Sequence, residues 1–278
     1  MRQFFTSRPI ATSLVVVAGY FTILAAPAIW SSQAFGGDPS RSPQQAPIDQ
    51  LAAEILLAAS AVAIVFLLGW ARQARLTSRP AWSGLGYALV PAMITLGLFG
   101  VAILAASQGE ADFSALISSG LPQSILLLVL FVGIFEEVLF RGILLHGFEL
   151  RIGPVAALFA SSFVFGISHY VNWINGQSFA ATHPQVIHAG LSGILYGAIA
   201  LRTRSIWPGV LLHALWDFVV TMNHALIGDT FGADPDSTTG GALVQVFGFL
   251  LRHFEPLLGL IVLAGWFRWQ RRQADQMQ

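Results

Sequence analysis

The chain contains no cysteine and no lysine among its 278 residues, and only 10% of them are charged. The first absence removes disulfides, thiolate metal sites and cysteine nucleophiles together. The second feature excludes an ordinary soluble domain. Soluble chains carry about 25% charged residues, and less than half of that cannot clothe a globular surface in water. Fourteen arginines balance fourteen acidic residues, so no excess of positive charge marks a nucleic-acid binder. An arginine-only set of bases suggests a GC-rich, bacterial genome. What the chain has in quantity is apolar surface, 55% of its residues with a mean hydropathy of +0.68. No internal repeat, heptad array or soluble domain is visible. Residues 1–278 read as a single all-α membrane domain, multi-pass, and expected in a bacterial inner membrane.

A membrane span needs about 20 mostly apolar residues in a helix. Eight segments qualify, at roughly 9–30, 50–71, 84–107, 123–147, 154–175, 185–201, 205–225 and 254–270. The sixth is short. Pro256 fits the first turn of the eighth, where its missing N–H costs nothing, which leaves 241–251 to lie along the interface. With the N-terminus inside, Arg2, Arg8, Arg72, Arg75, Arg79, Arg151, Arg202, Arg204, Arg268, Arg271 and Arg272 fall on the cytoplasmic side and only Arg41 outside. The positive-inside rule then puts both termini in the cytoplasm. Arg2 and Arg8 before an apolar run also fit a cleaved signal peptide, but the run exceeds a usual signal core, so a retained first helix is expected. Ser31–Asp49 reads as an exposed linker. Gly228–Gly241 reads as a solvated loop, with calcium on its three aspartates the lesser alternative. Trp30, Trp70, Trp207, Trp266 and Trp269 fall near span ends, as interfacial anchors do, and Glu54 is expected to reach the interface.

Ionisable residues inside spans cost about 2.5–3.5 kcal/mol each on insertion scales, so they mark the places to look. The fourth span carries Glu136-Glu137-x-x-x-Arg141. Glu137 and Arg141, four apart, share a face and form a favourably oriented pair. Glu136 points about 100° away, without an intrahelical partner. The fifth span carries Phe165-x-x-x-His169 and the seventh His213-x-x-x-Asp217, each again four apart. An aromatic ring can wall the first histidine; a carboxylate can orient the second. All of these lie well inside their spans, near the middle of the bilayer. If they converge, the pocket suits water activation by a carboxylate or histidine, with the remaining groups donating to an oxyanion. It equally suits a His₂Glu zinc site with an open fourth position; the helix signature H-E-x-x-H is absent. His146, His183, His188, His224 and His253 lie outside these motifs and are read as packing or loop histidines, His188 being notable for its place inside the sixth span.

In order and spacing, these three motifs resemble those of the CAAX-protease and bacteriocin-processing (Abi) family of intramembrane peptidases. Arg141-Gly142 after the first motif and Trp207-Pro208-Gly209 before the third add to the likeness, which covers roughly residues 123–224. The resemblance implies an endopeptidase in which Glu136 and His169 activate the attacking water, while His213 and Asp217 stabilise the oxyanion. Glu137, Arg141 and Phe165 would then support them. It favours a metal-independent glutamate mechanism, with zinc on Glu136, His169 and His213 as the alternative. The family often has asparagine where this chain has Asp217. An aspartate can donate only when protonated; ionised, it would orient His213 or bind a metal. The implied substrate is a membrane-associated peptide or protein within the lipid bilayer, and no nucleic acid is involved. Rival readings are a non-proteolytic immunity or scaffold protein and a proton-coupled transporter, for which no inverted repeat is found. No feature sets an oligomeric state.

Overall fold

In hydrocarbon a backbone must satisfy its own N–H and C=O groups, which an apolar run does by becoming a helix. The computed structural model describes residues 5, 7–30, 47–107, 113–227 and 242–275, and every regular element among them is helical. In chain order these are α1 Pro9–Trp30, α2 Pro47–Leu68, α3 Trp82–Ser107, the short α4 Phe113–Ser118 and α5 Leu121–Glu137. A π-helical segment Val138–Leu144 continues α5 into α6 Leu145–Ile152. Then come α7 Pro154–Ser168, the short α8 Tyr170–Ile174, α9 Phe179–Thr203, α10 Trp207–Ile227 and α11 Ala242–Asp275. Of the expected linker Ser31–Asp49, residues 31–46 lie outside the described residues, as do the loop at 228–241, Arg2 and Arg41, while 47–49 already belong to α2 because the helix starts at Pro47.

The protein is an all-helical, multi-pass membrane protein. Among the described residues, six stretches are long and apolar enough to cross a membrane: Pro9–Ile29, Gln50–Leu68, Trp82–Leu104, Leu121–Ile152, Pro154–Ile174 and Phe179–Thr203. The other two expected spans exist as the helices α10 and α11. They carry polar residues, His213, Asp217, Asn223 and His224 in one and Glu255, Arg268 and Arg271 in the other. At 21 residues α10 is still about 31 Å long, the thickness of a hydrocarbon core.

Several boundaries differ from the sequence reading, each for a local reason. The sixth span begins at Phe179 rather than near 185, because the Ser178 side chain caps it by accepting from the Ala181 N–H. The fourth runs from Leu121 to Ile152, since the π segment absorbs Arg141 and Gly142 without breaking the rod. Pro256 does not open a helix: α11 runs through it from Ala242 to Asp275, so 242–251 continues the same helix instead of starting apart. Trp70 and Trp266 are buried rather than anchored at a surface; Trp70 packs edge-on against His146.

The core is built around the α5–π–α6 rod, which touches α1, α2, α7, α9 and α10. Leu139, Phe140, Ile143, Leu144 and Leu145 are enclosed there with Phe165, Leu195 and Tyr196. In the apolar stretch of α9, 61% of residues are buried, against 22% in α2 and α3. That contrast makes α9 the central helix and gives α2 and α3 broad faces for lipid, where Leu56, Leu67, Met93 and Val101 are exposed.

Lipid tails supply no hydrophobic drive between helices, so close contact of small residues does the packing. At the α7–α9 crossing, a Cβ added to Gly166 would sit 2.8 Å from the Val186 carbonyl oxygen and 2.9 Å from the Gly190 Cα. Both are backbone atoms that cannot swing away. Gly166→Ala is therefore expected to destabilise the protein by about 1–3 kcal/mol, read as a lower melting temperature in detergent. Gly97→Ala, where nothing lies within 4 Å, should show no loss; equal losses would remove the close-packing account.

Candidate active site

The site begins with a fully buried ion pair. Arg141 Nη1 donates to Glu137 Oε1 at 2.7 Å, with side-chain exposures of 1% and 0%. The guanidinium also lies over the Phe165 ring, 4.2 Å from its centroid, and near the Tyr196 ring at 5.2 Å. Glu137 is committed twice, because the same Oε1 lies 3.1 Å from His213 Nδ1. A carboxylate paired with arginine can only accept, so His213 carries its proton on Nδ1. Gly209, in the first turn of α10, lets Glu137 come this close: a Cβ there would meet its Oε2 at 3.1 Å.

With Nδ1 fixed, His213 turns Nε2 toward two more carboxylates, Glu136 Oε2 at 3.4 Å and Asp217 Oδ2 at 3.5 Å. Two acceptors facing one ring nitrogen need a proton between them, on the imidazole or on one of the acids. Glu136 thus finds its partner on α10, the neighbouring helix against which α5 packs. Glu54 is half-buried and close enough to Glu136 for their charges to interact.

His169 enters from another direction. It is not mid-helix: α7 ends at Ser168 and α8 starts at Tyr170, with His169 at the junction. Its Nδ1 lies 2.9 Å from the Phe165 carbonyl oxygen, which can only accept. That contact places the proton on Nδ1 and leaves Nε2 with a free lone pair. The Phe165 ring stands edge-on to His169, centroids 4.9 Å apart, and faces His213 at 5.9 Å. Phe165 is the wall common to both imidazoles and to the Arg141 guanidinium.

Glu136, His169, His213 and Asp217 all line one cavity of about 370 Å³. Tyr20, Phe21 and Leu24 of α1 and Val129 and Val132 of α5 give it apolar walls, and Ser168, Asn172, Gln185 and Thr221 add neutral polar groups. Glu137 and Arg141 lie behind this surface. Among the described residues, no group of three or more His, Asp or Glu side chains is disposed to hold a metal ion. The alternative zinc set of Glu136, His169 and His213 would use the Nε2 atoms of both histidines, whose Nδ1 atoms are held by Glu137 and the Phe165 carbonyl in the way metal-bound histidines are usually oriented.

A second polar cluster, missed in the sequence reading, backs the first. Glu255 of α11, 1% exposed, accepts hydrogen bonds from the hydroxyls of Ser192 and Tyr196. His188 Nε2 lies 3.6 Å from the same carboxylate. The Tyr196 ring in turn stacks on His213, 5.0 Å between centroids and 12° from parallel. Its signal was present in the sequence: His188, Ser192 and Tyr196 repeat at intervals of four and so form a stripe down one face of α9.

Residues 118–219 match the model of a family described as "Type II CAAX prenyl endopeptidase Rce1-like". The matched stretch runs from α4 into α10 and contains every residue of the three motifs. No curated protein and no solved structure matches the chain. The family is one of membrane-bound CAAX proteases, which are hydrolases.

Breaking a buried ion pair by removing one partner costs about 3–5 kcal/mol. Arg141→Met should show a loss of that size in detergent melts, as should Glu137→Leu. The double variant should lose much less than the sum of the two. Additive losses would mean the two residues do not depend on each other.

Proposed function

Taking the Rce1-like region at residues 118–219 as premise, we propose that the protein is an intramembrane endopeptidase that hydrolyses a peptide bond of a membrane-associated peptide or protein. The observation that carries this reading is the shared cavity of Glu136, His169, His213 and Asp217, with both histidines held in defined tautomers by groups outside it. One side of that cavity, formed by Phe21, Leu24, Val129 and Val132, is apolar, which suits a substrate segment presented from a bilayer, and a bacterial inner membrane is the setting proposed.

In the reaction, a water in the cavity gives a proton to the Glu136 carboxylate as its oxygen bonds to the scissile carbonyl carbon. The free Nε2 of His169 accepts the water's second hydrogen bond and aims it. Negative charge then develops on the carbonyl oxygen. His213, its Nδ1–H anchored on Glu137, directs an Nε2–H at that oxyanion. Asp217, 3.5 Å from this nitrogen, orients it and, when protonated, adds a second donor. As the tetrahedral intermediate collapses, the C–N bond breaks and Glu136 passes its proton to the departing nitrogen. Arg141 neutralises Glu137, so that Glu137 orients His213 without competing for the water's proton. No step calls for a metal.

Purified protein with a quenched membrane-peptide library tests this directly. Glu136→Gln and His169→Ala are each expected to lower turnover by about 10²–10⁴-fold with the melting temperature unchanged, and a chelator should not inhibit. Full activity in either variant would overturn the assignment, and loss to chelator with recovery on zinc would replace the mechanism.

Asp217 separates donor from anchor. Asp217→Asn supplies a permanent N–H and should retain most activity, whereas Asp217→Ala should lose about 10²-fold or more, the effect of deleting one oxyanion donor. Equal activities would show that the side chain takes no part.

A further inference from the structure

A second cluster of polar chemistry lies away from the catalytic cavity, at the ends of several helices. The segment joining α2 to α3 folds back over the turn between α9 and α10. The Ala81 N–H donates to the Thr203 carbonyl at 2.7 Å and the Ile206 N–H to the Arg75 carbonyl at 3.3 Å. The Trp207 indole N–H donates to the Leu76 carbonyl at 2.8 Å. Between the two segments lies a cavity of about 770 Å³ whose lining includes Arg72, Arg75, Arg79 and Arg204 with Thr77 and Ser78, and no acidic residue. It shares no residue with the cavity around Glu136.

Two observations indicate that this is a built site and not a scatter of surface charge. Among the described residues, the non-glycine positions with positive φ are Arg75 (62°) and Arg204 (59°), and both line this cavity. The left-handed region is rarely adopted by side-chain-bearing residues, so the backbone is held there by its surroundings. Arg75, moreover, is only half used. Its Nη2 pairs with Glu149 Oε2 at 2.7 Å, while its Nη1 is buried with no hydrogen-bond partner. A guanidinium with an unspent buried donor, beside three more arginines and two hydroxyls, calls for an oxyanion that accepts several N–H bonds.

The location says which oxyanion. The cavity lies where α2 and α9 end and α3 and α10 begin. The Arg204 guanidinium lies over the Trp269 ring at 5.5 Å, and the indole of Trp207 closes the turn. Helix ends ringed by tryptophan and arginine sit at headgroup depth, and basic pockets between helices on the cytoplasmic side take anionic headgroups. We propose that this arginine pocket binds a phosphate-type oxyanion, supplied by the headgroup of an anionic phospholipid. The proposal does not depend on the peptidase reading.

Native mass spectrometry of the full chain in detergent, titrated separately with phosphatidylglycerol, phosphatidylcholine and inorganic phosphate, tests it. Phosphatidylglycerol should bind in preference to phosphatidylcholine. The Arg72→Gln/Arg79→Gln pair should weaken it by about fivefold for each arginine removed. Both side chains are solvent-exposed, so this variant spares the Arg75–Glu149 bridge and should melt like the parent. Arg268→Gln/Arg271→Gln, which removes equal charge from α11, should leave binding unchanged. Equal binding of the two lipids, equal losses in the two variants, or no binding would overturn the proposal. Inorganic phosphate that displaces phosphatidylglycerol at similar concentration would overturn the lipid source and assign the pocket to a soluble phosphate.

Discussion

The site is organised around one fully buried charge pair, Glu137 with Arg141. Two ions withdrawn from water are tolerable only if they neutralise each other and gain further contacts. Here Glu137 Oε2 and Arg141 Nη2 have no hydrogen-bond partner, and the further contacts that are made assemble the catalytic geometry. Glu137 fixes the tautomer of His213. Arg141 lies over Phe165, whose ring walls both histidines. Gly209 leaves room for Glu137 at the start of α10. A residue pair that touches no substrate thereby sets the positions of the groups that do.

Around that pair the protein is arranged in shells. Glu136, His169, His213 and Asp217 face the cavity; Glu137, Arg141, Phe165 and Tyr196 hold them from behind; Glu255 in turn holds Tyr196 and is itself met by Ser192 and His188. The outermost shell reaches α11, beyond the region that matches the family model. Buried polar networks of this kind stand or fall as units, since a partly satisfied one costs more than an apolar core. The arrangement accounts for the buried carboxylate of Glu255, next to Pro256 in α11.

Much of this was legible in the sequence because helical periodicity is a strong constraint. Spacing of four placed Glu137 on Arg141, Phe165 beside His169 and Asp217 beside His213, and each contact is found in the structure. The cost of charge in hydrocarbon singled out Glu136 and both histidines. What spacing along one helix does not reveal is contact between helices. That Glu137 serves His213 as well as Arg141, that Glu54 approaches Glu136, and that Glu255 answers the stripe on α9 all depend on how the rods cross. Pro256 misled for a related reason. A proline fits a helix start by local rules, but here α11 continues through it and packs along α9 so closely that a Cβ on Gly259 would lie 2.7 Å from the Leu195 nitrogen.

The π segment at Val138–Leu144 has a consequence of its own. Its wider turn closes with the Leu145 N–H reaching the Phe140 carbonyl, five residues back, so the rod gains about one residue of phase over an unbroken α-helix. Residues before and after it are rotated by about 100° from the register they would otherwise share. The upper half, α5, presents one face to α2 and α10, and the lower half, α6, presents another to α1 and α7. A single continuous rod thus serves two sets of neighbours that no uninterrupted helix could face at once. The phase step falls at Arg141, so winding the segment into an ordinary α-helix without shortening it would turn the glutamates and the lower contacts out of mutual alignment.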